Sequence, residues 1–197
     1  VRTADLVVFM LSVFEIERYE RLQRELYDNK IRLDTSKPNI TISKRGKGGI
    51  QVTTSDDVSL DDDTIASVLR EHGYVNADVT VRGDITIDEL IDGIMDNRVY
   101  LPSIVAVNKA DLIDRDYLPT VEENLREVGV DPEEAIFISA EAEKGLDALK
   151  EKVWEALGLI RVYMDKPGRG VDYDEPLVLM EGENTVDDAL RKLGGTL

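Results

Sequence analysis

The spacing of apolar positions changes several times along this chain, and the changes divide it. Residues 4–11 (Ala-Asp-Leu-Val-Val-Phe-Met-Leu) are an almost continuous apolar run, the pattern of a strand buried on both faces of a parallel sheet. Residues 16–29 then place Ile16, Tyr19, Leu22 and Leu26 at helical spacing with charges between them, which predicts an amphipathic helix. From Asn39 the period becomes two. Asn39-Ile40-Thr41-Ile42-Ser43 and Ile50-Gln51-Val52-Thr53 read as antiparallel strands joined by the Gly-rich turn 44–49.

Ser59 or Asp61 can cap a helix running to His72, residues 77–82 alternate as a strand, and Thr86 opens a helix with Asp88 and Glu89 in its first turn. Residues 30–96 therefore read as a small α+β unit. A second buried-strand signal, Ser103-Ile104-Val105-Ala106-Val107, follows. Helix 120–128, strand 135–138 and helix 145–157 complete a β-α-β-α series, which implies a parallel sheet with right-handed crossovers. Trp154 falls on the apolar side of the last helix with Leu146, Leu149, Val153 and Leu157, so core packing is expected of it. Beyond Gly158 the pattern resets to strand 159–164, a turn at Asp165-Lys166-Pro167-Gly168, strand 176–180 and a helix opening at Thr185.

Composition narrows the chemistry. The 197 residues include no Cys and one His, so disulfides, thiolate metal sites and His-rich metal sites are excluded. His72 sits at a predicted helix end, where a capping role is expected. No apolar stretch approaches the roughly 20 residues that cross a bilayer, so the protein is expected to be cytoplasmic, without membrane contact. The chain begins at Val1 with no signal pattern and reads as a protein that has lost its natural start. Forty-one acidic residues against 24 basic ones give a net charge of −17. The acids, 23 of them Asp, are spread along the chain. That spread favours a solvated, salt-adapted surface over an acidic binding tail, although such a field also repels phosphate.

Asn108-Lys109-Ala110-Asp111 follows the second buried strand directly. Guanine presents an N1–H and a 2-amino group side by side, and one fixed carboxylate can accept from both. Adenine would leave the same carboxylate desolvated and unpaired. Asp111 supplies that group, Asn108 can donate to the N7 edge and brace neighbouring loops, and the stem of Lys109 can cover the ring. A donor for O6 is expected from the backbone of Ser139-Ala140, which follows the next strand. Both segments lie at strand carboxyl ends, where open α/β sheets bind ligands. No G-x-x-x-x-G-K-[ST] loop occurs. Neither Gly46-Lys47-Gly48-Gly49 nor Asp165–Gly168 has the context of a phosphate loop, so this chain alone is not expected to hydrolyse GTP.

With these residues in place, the chain resembles the developmentally regulated GTP-binding proteins, an Obg-related class of P-loop GTPases, and looks like an archaeal, halophilic member. The resemblance runs in order through Arg2-Thr3-Ala4-Asp5-Leu6, Lys37-Pro38-Asn39-Ile40, Lys47-Gly48-Gly49-Ile50 and Asn76-Ala77-Asp78-Val79-Thr80. It continues through Asp88-Glu89-Leu90-Ile91-Asp92, Asn97-Arg98-Val99-Tyr100, Asn108–Asp111 and Ser139-Ala140. It implies an α/β fold in four stretches. Residues 1–14 and 97–158 would be the second half of a P-loop GTPase domain with a mostly parallel sheet. Residues 15–96 would be an α+β insert resembling a ribosomal-protein domain, and 159–197 the start of a β-grasp (TGS) domain.

It also implies GTP or GDP as ligand, with Mg²⁺ needed only by the full-length protein, whose phosphate and Mg²⁺ motifs would lie before Val1. A GTPase switch in translation is one expected function. The alternative is an RNA- or ribosome-binding module acting through insert and TGS domain, or binding to a family-specific protein partner, with nucleotide secondary. For that alternative the candidate contacts are Lys44, Arg45 and Lys47, the densest basic cluster in an acidic chain. One departure stands out: many such GTPases follow Ser-Ala with Lys, and Glu141 stands here, removing a ring-covering side chain.

Overall fold

The computed structural model describes residues 3–166, 168, 170–180, 182 and 185–194. In chain order the elements are β1 (Val7–Ser12), α1 (Arg18–Asp28), β2 (Ile31–Leu33), β3 (Asn39–Lys44), β4 (Ile50–Thr54), α2 (Asp62–Glu71), β5 (Ala77–Arg82) and α3 (Ile87–Met95). They continue with β6 (Val99–Leu101), β7 (Ser103–Asn108), a 3₁₀ turn (Ala110–Leu112), α4 (Leu118–Glu127), β8 (Ile136–Phe137), α5 (Leu146–Ala156), β9 (Ile160–Lys166), β10 (Gly170–Leu179) and α6 (Val186–Gly194). The fold is mixed α/β and divides into two compact units. One comprises residues 1–25 and 101–197, the other residues 26–100.

The first unit is built on a parallel sheet of order β1-β7-β8, with Val7 opposite Ser103 and Ser12 opposite Asn108. The central strand explains the apolar run at 103–107: Ile104, Val105, Ala106 and Val107 are all buried. The run at 4–11 behaves differently. Phe9 and Leu11 are buried, but Val8 and Met10 are 39% and 50% exposed, so β1 is covered on one face only among the described residues. Among the described residues β7 has a strand on each side, whereas β1 pairs with β7 alone. Tyr19 of α1 closes the covered face, its ring edge-on to Phe9 at 4.7 Å between centroids. Val121 and Leu125 of α4 are fully buried in this unit.

Trp154 also departs from expectation. No residue of α5 is fully buried, and the indole is half-buried under the Arg161 guanidinium, 3.8 Å from the ring centroid. An amphipathic pattern fixes which face turns inward but not how deeply it is covered. β9 and β10 pair antiparallel, with an irregularity between Asp172 and Leu177. β9 runs on to Lys166, so the turn expected at 165–168 is displaced, and its Pro167 lies outside the described residues.

The second unit has a three-stranded sheet of order β3-β5-β4, in which β5 runs antiparallel to β3 and parallel to β4. The Gly-rich segment therefore does not close a hairpin, because β5 lies between the two strands expected to pair. Lys44 and Ile50 both face Ala77, so the loop between them passes over the start of β5. Asn76 holds it there: its carbonyl accepts from Arg45 N–H at 3.0 Å and its Oδ1 from Gly49 N–H at 2.8 Å. Period-two patterning specifies strands but not partners, and here the shared partner, β5, begins only at Ala77.

Helices α2 and α3 supply Ile65, Leu69, Leu90 and Ile94 to a core with Ala77, Val79 and Val81 of β5. Asp61 caps α2, accepting from Thr64 N–H at 2.7 Å, and Thr86 and Glu89 form a reciprocal capping box on α3. His72 ends α2 with its Nδ1 2.8 Å from Val68 O. Beneath α3 lies a buried ion cluster that the sequence patterns do not flag. Asp92, 5% exposed, takes both Nε and Nη2 of Arg32, at 2.5 and 3.0 Å, and Nε of Arg98 at 2.7 Å. The Arg32 guanidinium also lies 3.6 Å over the Tyr27 ring.

Candidate functional site

The parallel register carries β7 one residue beyond its last buried side chain, and that residue is Asn108. The chain then turns back sharply. Lys109 adopts a left-handed conformation (φ 66°, ψ 30°), a strained state for a residue with a side chain. Its carbonyl accepts from Leu112 N–H at 3.0 Å, and Ala110 N–H donates to Ile138 O at 3.0 Å, tying this turn to the end of the neighbouring strand segment.

Asn108 makes the second tie. Its Oδ1 accepts from Lys109 N–H at 2.8 Å and from Ala140 N–H at 3.1 Å. Because both partners are donors, the amide must face them through oxygen, which turns Nδ2 away from them. Asn108, Lys109, Ser139 and Ala140 are thus gathered at the carboxyl end of the sheet. Ser139 is buried (2% exposed), its Oγ accepts from Ala142 N–H at 3.0 Å, and its backbone exchanges two hydrogen bonds with Lys144, each 3.0 Å. The backbone donors of Ser139 and Ala140 therefore both have protein acceptors.

Asp111 sits in the 3₁₀ turn just beyond and is exposed. Among the described residues it has neither a hydrogen-bond nor an ion-pair partner. A folded carboxylate left unpaired beside a strained, doubly tied loop is a group available to a ligand. Lys109 and Ala140 are exposed beside it.

One supporting residue escapes pattern reading. Gly145, at the start of α5, has φ +72°, and a Cβ there would lie 2.4 Å from Phe137 O and 3.2 Å from Ile138 Cα. The glycine lets α5 begin against the strand end that carries Ser139. Its signal in the sequence was only a Gly before a helix.

The basic candidates lie in the other unit and are partly engaged. Arg45 Nη1 is 2.8 Å from Asp78 Oδ1 and 3.2 Å from Gln51 Oε1, while Lys44 Nζ lies 5.2 Å over the Tyr74 ring. A surface cavity of about 750 Å³ is lined by Arg45, Gly46, Lys47, Gly48 and Gln51. Among the described residues no group of three or more His, Cys, Asp or Glu side chains is placed to hold a metal ion. No described helix is long and apolar enough to cross a membrane.

The family described as the C-terminal region of the MMR_HSR1 domain matches residues 47–159. An uncharacterized GTP-binding protein of Halobacterium salinarum is 60% identical over 197 residues, covering 100% of this chain and 53% of that protein. An uncharacterized GTP-binding protein of Methanocaldococcus jannaschii is 41% identical over 194 residues, covering 98% of this chain and 49% of that protein. Developmentally-regulated GTP-binding protein 1 of Xenopus laevis is 36% identical over 194 residues, covering 98% and 51%. The chain spans about half the length of the curated relatives it matches. It belongs to the family of the C-terminal region of the MMR_HSR1 domain, among the developmentally regulated GTP-binding proteins.

Proposed function

We propose that this chain carries the guanine-reading half of a GTP-binding switch protein. The observation that carries the reading is the unpaired carboxylate of Asp111, standing one turn beyond the Asn108–Ala140 tie. A guanine base would give its N1–H and 2-amino group to Asp111 and its N7 to Asn108 Nδ2, with the Lys109 stem over the ring. Its O6 would share the Ala140 N–H with Asn108 Oδ1 in a three-centre bond. Residues 15–96 would act as the α+β insert, most of them in the compact unit 26–100, and 159–197 as the opening of a TGS domain. Mg²⁺ and the phosphate groups would be held by parts of the whole protein other than these residues, and hydrolysis belongs to that whole.

Amide NMR of the chain tests this directly. GDP should shift the resonances of Asn108–Asp111, Ser139 and Ala140, and ADP should not. Asp111→Asn should lose the response to GDP and gain one to xanthosine diphosphate, whose O2 accepts where the 2-amino group donated. Equal responses to GDP and ADP would end the proposal.

A second reading rests on the cavity beside Lys47: the insert would touch RNA or the ribosome through the Lys44, Arg45 and Lys47 loop. The ion pair of Arg45 with Asp78 leaves Lys47 to carry most of that contact. Replacing all three cations should abolish salt-sensitive ribosome co-sedimentation; unchanged sedimentation would remove the idea.

A further inference from the structure

The chain joins an arginine to an aromatic ring and a carboxylate in two places. Arg32 lies 3.6 Å over Tyr27 and is held by Asp92, and Arg161 lies 3.8 Å over Trp154 and reaches Glu151 at 3.5 Å. A third set of rings and carboxylates surrounds a cavity with no arginine in it. Phe14, Tyr117, Leu112, Ile113, Asp114 and Asp116 line a cleft of about 370 Å³, at the small end of the roughly 300–1,000 Å³ typical of ligand sites. The two rings stand 6.3 Å apart, tilted by 46°.

Both rings are held on braced turns and left uncovered. Phe14 N–H donates to Ser12 Oγ at 3.3 Å, and Tyr117 N–H to Asp114 Oδ1 at 3.0 Å, at the start of α4. Phe14 is 52% exposed, Leu112 61% and Tyr117 40%. Among the described residues neither Asp114 nor Asp116 is in an ion pair, and Arg115 between them is not part of the lining.

We propose that this cleft is a docking pocket for an arginine side chain, carried on an apolar segment of a partner protein. A guanidinium is planar and weakly hydrated, so it can stack on a ring while its N–H groups meet a carboxylate, which a lysine ammonium does less well. The carboxylate rim on a chain of charge −17 disfavours phosphate. In concentrated salt the long-range attraction is screened, and the stacking and apolar contacts remain because they act at short range. The hydrogen bonds from Phe14 N–H and Tyr117 N–H leave less backbone freedom to lose on binding. The proposal does not rest on guanine recognition, although the lining begins one residue after Asp111.

The test is an amide NMR titration of the chain with acetyl-Leu-Arg-Leu-amide, against acetyl-Leu-Glu-Leu-amide and a short oligouridylate. The arginine peptide should give saturable shifts at Phe14, Leu112–Asp114, Asp116 and Tyr117, with the glutamate peptide and the RNA silent there. Phe14→Leu and Asp116→Asn, both at exposed positions, should each weaken binding roughly fivefold. No shift at millimolar peptide, equal shifts with the glutamate peptide, or RNA moving the same amides would overturn the proposal. So would shifts that track the concentration of the chain alone, which would assign the cleft to a second copy. GDP responses at Asn108 and Ala140 are read in the same spectra, so either idea can fail without the other.

Discussion

Asp92 and Asp111 are the same side chain in opposite settings. Asp92 is nearly inaccessible, and two guanidiniums satisfy both its oxygens. Asp111 is exposed, with no partner among the described residues. The first lies on α3 against Arg32 of β2 and Arg98, where an ionised group must be matched before it can be buried. The second lies where a parallel sheet ends and its loops begin, and among the described residues no group takes up its hydrogen-bonding capacity.

Substitution should separate the two. Asp92→Ala leaves two buried guanidiniums uncompensated and should lower unfolding free energy by about 3–5 kcal/mol, measured by urea denaturation. Asp111→Asn should change it by no more than about 0.5 kcal/mol. A large stability loss at Asp111 would break the comparison, because that residue would then also serve the fold. Gly145→Ala tests the strand end behind the site. The new Cβ meets a backbone carbonyl in a left-handed conformation, and a loss of about 1–3 kcal/mol is expected, with shifted amides at Ser139.

The smallest effect is a pH dependence around the Asp92 cluster. Burial, and then the Asp92 charge, raise the Tyr100 hydroxyl above its usual value of 10.0. Below that value the phenol is protonated in both folded and unfolded chains and contributes nothing. Above it the unfolded chain releases its proton first, so stability falls as pH rises. Tyr100→Phe should flatten part of the stability loss above about pH 10. An unchanged alkaline slope would show that Tyr100 does not feel the cluster.

Much of the placement of the candidate residues was readable from order alone. A buried strand ending in Asn108-Lys109-Ala110-Asp111, and a second strand ending at Ser139-Ala140, imply loops at one edge of a sheet, and the parallel register brings them there. Two things were not readable. Asn108 uses its oxygen to clamp Ala140, so the N–H expected for a ligand is partly engaged. Gly145 matters because of a 2.4 Å approach that only the packed helix creates. In the second unit the strands were legible but their pairing was not, because β5 enters between β3 and β4 from distant sequence.

The sequence by itself determined the local elements, the acidic surface and the residue types that can read a purine edge, because these follow from periodicity, charge and functional groups. Tertiary structure decided that β7 is covered on both faces and, among the described residues, β1 on one. It also decided which loop Asn76 pins down and which of 23 aspartates is locked between arginines rather than left open. Those outcomes depend on neighbours far apart in the chain, and no local pattern records which neighbour arrives.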